Sequence, residues 1–167
     1  ARRIAFGKVL NAGQTCVEPD YMFIHRDVKE NFIYEYGKAL EEFFPGGDMS
    51  DMNVSSNDKH YERVKRLLGC GRVVLGGGFD DERRFIEPTL LEDVNISDPV
   101  MQEEIFGPVL PMLVFKDLET CIEYIQDNEK PLSLYLFTRS KETRKRILRT
   151  CSFGGGCIND TIVHLAT

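Results

Sequence analysis

Short apolar runs alternate with amphipathic segments along this sequence, and that alternation constrains the fold more than any other feature. The runs with the composition of buried strands are residues 21–25, 72–75, 84–91, 109–115 and 132–137, and a last one begins at Cys157. The helix-like segments, most with apolar residues three or four positions apart, are residues 2–10, 28–44, 61–68, 118–125 and 140–150. Strands that alternate with helices predict an α/β fold, with a mainly parallel sheet flanked by helices.

Several single residues predict where these elements begin and how they pair. Asp27 has the position of a capping residue at a helix start, and Asp117 and Ser140 are expected to cap the helices that follow them. Pro111 cannot donate a hydrogen bond to a neighbouring strand. The strand at residues 109–115 is therefore expected at an edge of the sheet or next to a bulge.

Two glycine triplets are predicted to form turns. Residues 76–78 follow a strand, as a phosphate-binding loop does, but they lack the spacing of a dinucleotide fingerprint and run into two aspartates that would repel phosphate. Residues 154–156 are expected to form a tight turn before the last strand. The basic run at residues 139–149 is interpreted as the solvated face of a helix.

Length and charge restrict the classes of function. A chain of 167 residues is long enough for one domain with a sizeable core, so residues 1–167 are predicted to form a single domain. A net charge of −6 gives no basic surface for nucleic acid, and no apolar run approaches the length of a membrane span. Neither nucleic acid nor a membrane-spanning segment is therefore expected.

The cysteines and histidines predict neither a disulfide framework nor a metal site. The five cysteines are odd in number and widely spaced, and the three histidines are scattered. No signal peptide precedes the first helix-like segment. A reducing cytoplasm is the expected location.

Cys16 is the candidate nucleophile that the residues themselves suggest. It follows a helix-like segment in the stretch NAGQTC (residues 11–16), where Gly13 suits a helix end. A thiol on a short loop, with a fixed position and nearby backbone N–H groups, can act as a nucleophile. The alternative, which spacing alone favours, is that Cys16 is a buried thiol that packs as a small hydrophobic residue.

Two motifs give Cys16 a chemical context. Phe6, Gly7 and Lys8, followed by residues 11–16, resemble the cysteine active-site signature of the aldehyde dehydrogenases, and VEPDY after the cysteine is similar to the class-three, fatty aldehyde branch. Residues 99–110 (PVMQEEIFGPVL) resemble the conserved cofactor-side segment of that family. The resemblance extends from Arg2 to about His164, and it covers well under half of the usual polypeptide of the family.

The resemblance implies that Cys16 is the catalytic nucleophile in the oxidation of an aldehyde to a carboxylic acid. Its thiolate would attack the aldehyde carbon to give a thiohemiacetal. Loss of hydride to a nicotinamide cofactor, NAD or NADP, would leave a thioester that water hydrolyses. The backbone N–H of Cys16 would help to hold the oxyanion, because donors aimed at developing charge contribute strongly to catalysis.

The resemblance also implies two cofactor-binding residues, Glu104 and Phe106. In the similar family the Glu binds the hydroxyls of the nicotinamide ribose and the Phe packs near the nicotinamide. Two positions apart in an extended segment, both side chains would point to one side. Without the motif, a solvated Glu beside a core Phe would be the simpler interpretation. Glu103 is expected to be structural, as a surface or capping carboxylate.

Several parts of the similar enzymes have no counterpart in this sequence. These are the dinucleotide-binding domain, the general-base Glu and oxyanion Asn upstream of the cysteine, and the oligomerisation segment downstream. We therefore expect the chain to be the catalytic part of a longer, homodimeric enzyme and to oxidise aldehydes poorly by itself. The strand beginning at Cys157 is a candidate edge for pairing with another chain.

Two alternatives stay open. The first is a related enzyme that releases the thioester to coenzyme A instead of water. The second is a non-catalytic assembly module with the same fold. An assay with and without coenzyme A distinguishes the first alternative, and loss of activity in Cys16→Ala argues against the second.

Overall fold

The computed structural model describes residues 1–166, and the elements follow the predicted alternation closely. The helices in these residues are α1 (Arg2–Val9), α2 (Lys29–Phe43), α3 (Asp58–Leu67), α4 (Leu118–Asp127) and α5 (Lys141–Thr150). The strands are β1 (Met22–His25), β2 (Arg72–Leu75), β3 (Phe79–Asp80), β4 (Phe85–Ile86), β5 (Thr89–Glu92), β6 (Val109–Phe115), β7 (Ser133–Leu136) and β8 (Gly155–Ile158).

The largest sheet has four strands in the order β1-β6-β5-β2. Strand β6 runs parallel to both of its neighbours, β1 and β5, whereas β2 is antiparallel to β5. Two smaller sheets join β3 with β4 in antiparallel fashion and β7 with β8 in parallel fashion. The predicted α/β class is confirmed, and the parallel pairs include the strand at the centre of the main sheet.

The expectation that Pro111 would mark an edge strand or a bulge is wrong. Strand β6 lies inside the sheet, and Pro111 pairs with Leu91 of β5 in regular register. The pairing of β6 changes side at this point, because it pairs with β5 through Pro111 and with β1 from Met112 onward. A missing N–H is tolerated where one ladder ends and the next begins.

The core is divided between the two faces of the main sheet. Helix α2 packs Phe32, Tyr36 and Leu40 in one buried cluster with Leu90 and Leu110 from the sheet. A second cluster contains residues of α3 and of the strands beside it, namely Tyr61, Val64, Leu67, Leu91 and Val109. The three-to-four spacing that predicted these helices is therefore the spacing of their buried faces.

Two of the three predicted helix caps are confirmed. The side chain of Asp117 accepts a hydrogen bond from Glu119 N, and that of Ser140 accepts one from Thr143 N. Asp27 does not cap α2, because it lies inside a short 3-10 turn (Arg26–Val28) and its own N–H donates to the ring of His25. The histidine before it takes the capping position.

The second glycine triplet is not the predicted tight turn. Residues 155 and 156 belong to β8, and a Cβ on Gly156 would lie 2.0 Å from the carbonyl oxygen of Leu134. The glycines therefore allow β7 and β8 to approach each other closely. None of the helices in residues 1–166 has the length and apolar character required to cross a membrane.

Candidate active site

The stretch that joins α1 to β1 carries Cys16, and we call residues 10–20 the cysteine loop. Directly after α1 the backbone turns through three successive left-handed residues, Asn11 (φ 51°), Ala12 (φ 54°) and Gly13 (φ 72°). Asn is among the residues that adopt this conformation most readily, and Gly adopts it without steric cost. The predicted helix end at Gly13 is therefore an abrupt reversal of the chain.

Polar side chains of the loop hold this reversal in place. Asn11 and Gln14 each donate a side-chain hydrogen bond to the other's carbonyl, at 3.0 and 3.1 Å. Gln14 also binds the stretch before α3, donating to Val54 O at 3.0 Å and accepting from Ser56 N at 2.9 Å. The Asn and Gln of the NAGQTC motif therefore fix the loop before its cysteine.

Cys16 lies in a turn closed by a 3.0 Å hydrogen bond from Glu18 N to Thr15 O, and its side chain is exposed. The alternative of a buried packing thiol therefore does not describe Cys16. The next residue, Val17, is buried, and its carbonyl accepts a 2.5 Å hydrogen bond from the hydroxyl of Tyr135 on β7. The turn thus presents a thiol to solvent on a backbone that is held from below.

Backbone contacts connect the cysteine loop to the second motif, of which we call residues 103–107 the glutamate segment. A Cβ on Gly13 would lie only 2.1 Å from the carbonyl oxygen of Gly107. Asp20, at the other end of the loop, accepts a 2.9 Å hydrogen bond from Ile105 N. Two motifs about ninety residues apart in the sequence are therefore adjacent in space.

Within the glutamate segment, Glu104 is exposed, Ile105 is buried and Phe106 is half-buried. The assumption of an extended segment is wrong at Phe106, whose φ of 51° lies in the left-handed region. The segment precedes β6 as irregular backbone. Glu103 makes a surface ion pair of 3.1 Å with Arg63, as expected of a structural carboxylate.

Two residues of α3 hold the glutamate segment, and the sequence analysis missed both. Arg63 donates to the carbonyls of Glu104 and Ile105, at 3.2 and 2.5 Å. The ring Nε2 of His60 lies 2.6 Å from the carbonyl oxygen of Phe106. Their spacing of three residues places them on one helix face, and that was the available signal.

Lys8 of the first motif is buried, with 1% of its surface exposed. Burial lowers the pKa of its ammonium, while the carboxylates of Asp20, Glu18 and Glu104 act in the opposite direction. Burial also raises the pKa of Glu18 to about 7, an increase that the Thr15 hydroxyl and Lys8 offset only in part. The two motifs therefore meet around one ammonium and three carboxyl groups.

The remaining cysteines and the search for metal ligands add no second centre. Cys121 and Cys151 are buried, and Cys70 and Cys157 are half-buried. Among residues 1–166 there is no group of three His, Cys, Asp or Glu side chains arranged to hold a metal ion. Chemistry at this site is therefore considered through Cys16 and the glutamate segment.

Comparison with known proteins identifies the family. The sequence matches the profile of the aldehyde dehydrogenase family over residues 1–167. It is 46% identical over 170 residues to the 4,4'-diaponeurosporen-aldehyde dehydrogenase of Staphylococcus aureus, a match that covers 99% of this chain and 37% of that protein. The chain belongs to the aldehyde dehydrogenase family.

Several relatives place the similarity more closely. Aldehyde dehydrogenase family 3 member B1 of Rattus norvegicus is 42% identical, with 99% of this chain and 36% of that protein covered. The dimeric NADP-preferring aldehyde dehydrogenase of the same species is also 42% identical, with 98% and 37% covered. The chain therefore spans little more than a third of the length of these relatives.

Solved structures agree with the family assignment. The substrate-bound state of Staphylococcus aureus AldH superimposes with a TM-score of 0.94 at 45% identity, covering 99% of this chain and 37% of that one. Lactaldehyde dehydrogenase from Escherichia coli gives 0.83 at 27% identity, covering 96% and 36%. The fold is that of the corresponding part of these enzymes.

The glutamate segment fits the part of a nicotinamide cofactor that the family implies. An exposed carboxylate can accept hydrogen bonds from two ribose hydroxyls, and a half-exposed ring can face a flat heterocycle. Glu104 and Phe106 meet these requirements, and His60 and Arg63 hold the carbonyls of the same segment. Glu104 and Phe106 are the residues that would hold the cofactor at this end.

Proposed function

We propose that the protein that contains this chain oxidises an aldehyde to a carboxylic acid, with Cys16 as nucleophile and with NAD or NADP as cofactor. One observation carries this proposal. The turn at residues 15–18 exposes the thiol, while the Gly13–Gly107 contact and the Asp20–Ile105 hydrogen bond hold the glutamate segment against the same loop.

Cys16 begins the reaction as a thiolate that attacks the aldehyde carbon and forms a thiohemiacetal. The backbone N–H of Cys16 donates to the oxyanion as it develops, which is a large contribution when the donor is fixed in advance. The hydroxyl of Tyr135 holds the carbonyl of the next residue, so that the orientation of this N–H is constrained. The bound cofactor supplies the acceptor for the hydride that leaves the thiohemiacetal.

The thioester on Cys16 is then hydrolysed by water. The family resemblance places the general base and the oxyanion Asn upstream of the cysteine, in a part that residues 1–15 do not contain. We therefore propose that this chain alone forms the acyl enzyme more readily than it completes the reaction. The finer proposals are a fatty aldehyde substrate, a cytoplasmic location and a homodimeric parent, and the relative named as dimeric and NADP-preferring supports the last.

The first test is acylation of Cys16 by a chromogenic ester. We expect a burst of released nitrophenol in the wild-type protein and none in Cys16→Ala. The matched control is Cys157→Ala, which removes a half-buried thiol outside the cysteine loop and should keep the burst. A burst that survives in Cys16→Ala would refute the role of Cys16.

The same variants separate the alternatives in the protein at its natural length. An acid product formed at the same rate with and without coenzyme A supports hydrolysis of the thioester, whereas formation of an acyl-coenzyme A favours the acylating enzyme. Unchanged activity in Cys16→Ala would favour the non-catalytic assembly module. The residues of the VEPDY stretch resemble the hydrolytic branch, so that hydrolysis is the expected result.

A further inference from the structure

Glu18 is a buried carboxyl group with no role in the reaction as described so far. Its side chain is 6% exposed, and neither carboxylate oxygen makes a hydrogen bond of standard geometry to another described residue. A buried polar group in that condition is costly to stability, and a buried charge is more costly still. Such a group lies only two residues from the candidate nucleophile.

The backbone around Glu18 is fixed, so the carboxyl group cannot relax away from the loop. Its N–H closes the turn onto Thr15 O at 3.0 Å, and the preceding carbonyl, of Val17, accepts hydrogen bonds from Tyr135 and Ser133 at 2.5 and 3.4 Å. Residues two apart have Cα atoms at most about 7 Å from each other. The charge state of Glu18 must therefore be felt at the thiol of Cys16.

The groups that face Glu18 come from three parts of the structure. They are the ammonium of Lys8 on α1, the hydroxyl of Thr15 in the same turn, and the hydroxyl of Tyr135 on β7. Lys8 is shared, because it also faces Asp20 and Glu104. One ammonium cannot neutralise three carboxylates, so this buried cluster favours retention of a proton.

We propose that Glu18 is a positioning residue that tunes Cys16 through its own proton, such that Glu18 is protonated when Cys16 is a thiolate. The S–H bond breaks, its proton passes to solvent, and an O–H bond forms on Glu18 with a proton from solvent. The total charge of the loop is unchanged. The thiolate then has Lys8 nearby without a second negative charge beside it.

The burial-raised pKa of Glu18, about 7, places this exchange in the range where a thiol reacts. An ionised Glu18 disfavours the thiolate, since like charges oppose each other at short range. Below about pH 6 the wild-type carboxyl is neutral already, and Glu18→Gln should resemble the wild type. At pH 8 the variant cannot become charged, and Cys16 should react about three- to tenfold faster than in the wild type.

The experiment measures the alkylation of Cys16 by iodoacetamide between pH 5.5 and pH 8.5 as a flagged range of about three units around the relevant pKa. The rate is read by mass spectrometry from the tryptic peptide of residues 9–26, in which Cys16 is the only cysteine. The proteins are the wild type, Glu18→Gln, Glu18→Asp and the control Glu123→Gln, which changes an exposed carboxylate on α4. All are used at their natural length.

A Gln-to-wild-type rate ratio that grows with pH, together with wild-type behaviour in Glu18→Asp and Glu123→Gln, supports the inference. A ratio that is constant across the pH range overturns it, because a change in packing alone has no reason to follow protonation. Equal rates at every pH also overturn it. If Glu18→Gln does not fold, a wild-type profile that fits a single ionisation overturns the inference as well.

The inference rests on the proposed function only for the purpose of the thiolate, and the two can fail separately. If Cys16 is alkylated no faster than the half-buried Cys70 and Cys157, the proposed nucleophile is in doubt. The pH dependence of the Glu18→Gln ratio is still measured on the same peptide. A pH-dependent ratio in that case would support the coupling of Glu18 to Cys16 without a catalytic role.

Discussion

Gly13→Ala tests whether the contact between the cysteine loop and the glutamate segment is what builds the site. A non-glycine residue at a φ of 72° costs about 1–2 kcal/mol. The new Cβ would also lie 2.1 Å from the carbonyl oxygen of Gly107, so that one backbone must move by about 1 Å, at a further cost of about 1–3 kcal/mol. We expect a loss of about 2–5 kcal/mol in the free energy of unfolding.

Gly46→Ala is the matched control for that variant. Gly46 has a similar φ of 66°, but a Cβ there would meet no atom within 4 Å. The control should therefore lose only the conformational part, about 1–2 kcal/mol. Urea unfolding followed by circular dichroism measures both variants, since the sequence has no tryptophan to report by fluorescence.

The functional readout for the same pair is the rate of Cys16 alkylation. The backbone shift in Gly13→Ala should change that rate at least about threefold, because thiol reactivity follows small changes in local electrostatics. Gly46→Ala should leave it unchanged. Equal stability losses in the two variants, with equal alkylation rates, would refute the argument that close approach of the two loops requires Gly13.

Three further outcomes follow from single residues. Tyr36 is 0% exposed and its hydroxyl has no partner among the described residues, so Tyr36→Phe should raise the free energy of unfolding by about 1 kcal/mol in urea titrations. Arg63→Met should speed hydrogen exchange at the amide of Ile105 by about tenfold, since its bonds to the glutamate segment are lost, whereas Arg66→Met should not. Because burial raises the pKa of Glu18 from 4.5 to about 7, the folded state binds the extra proton between those values, and stability falls as the pH rises through them. Calorimetry should therefore give Glu18→Gln a higher Tm than the wild type at pH 8 and a similar Tm at pH 5.

Periodicity and capping chemistry allowed most of the fold to be predicted. The spacing of the apolar residues in α2 and α3 is local information, and so are the hydroxyl and carboxylate caps at Ser140 and Asp117. Pro111 and the glycines of β8 were misjudged because their meaning depends on partner strands. A proline is acceptable in β6 only because the ladder changes side there, which a single sequence does not reveal.

The candidate site divides in the same way. Cys16, Glu104 and Phe106 were named through family motifs, and the structure places their segments side by side without testing their roles. His60 and Arg63 were missed because they act on backbone carbonyls of a distant segment, and carbonyls carry no sequence signature. Glu18 was missed because its importance lies in burial, which is a property of the packed structure.

The contact at Gly13 gives a physical reason why the two motifs occur together in one chain. The cysteine loop reverses through a left-handed glycine whose missing side chain leaves room for the backbone of Gly107. That approach brings Asp20 to the N–H of Ile105 and the carboxyl groups of Glu104 and Glu18 to the same buried ammonium of Lys8. A change in either motif therefore alters the backbone or the charge that the other one meets. The nucleophile and the cofactor-binding carboxylate should accordingly respond together to substitutions at Gly13, Lys8 or Asp20, even though none of these three is proposed to touch the aldehyde.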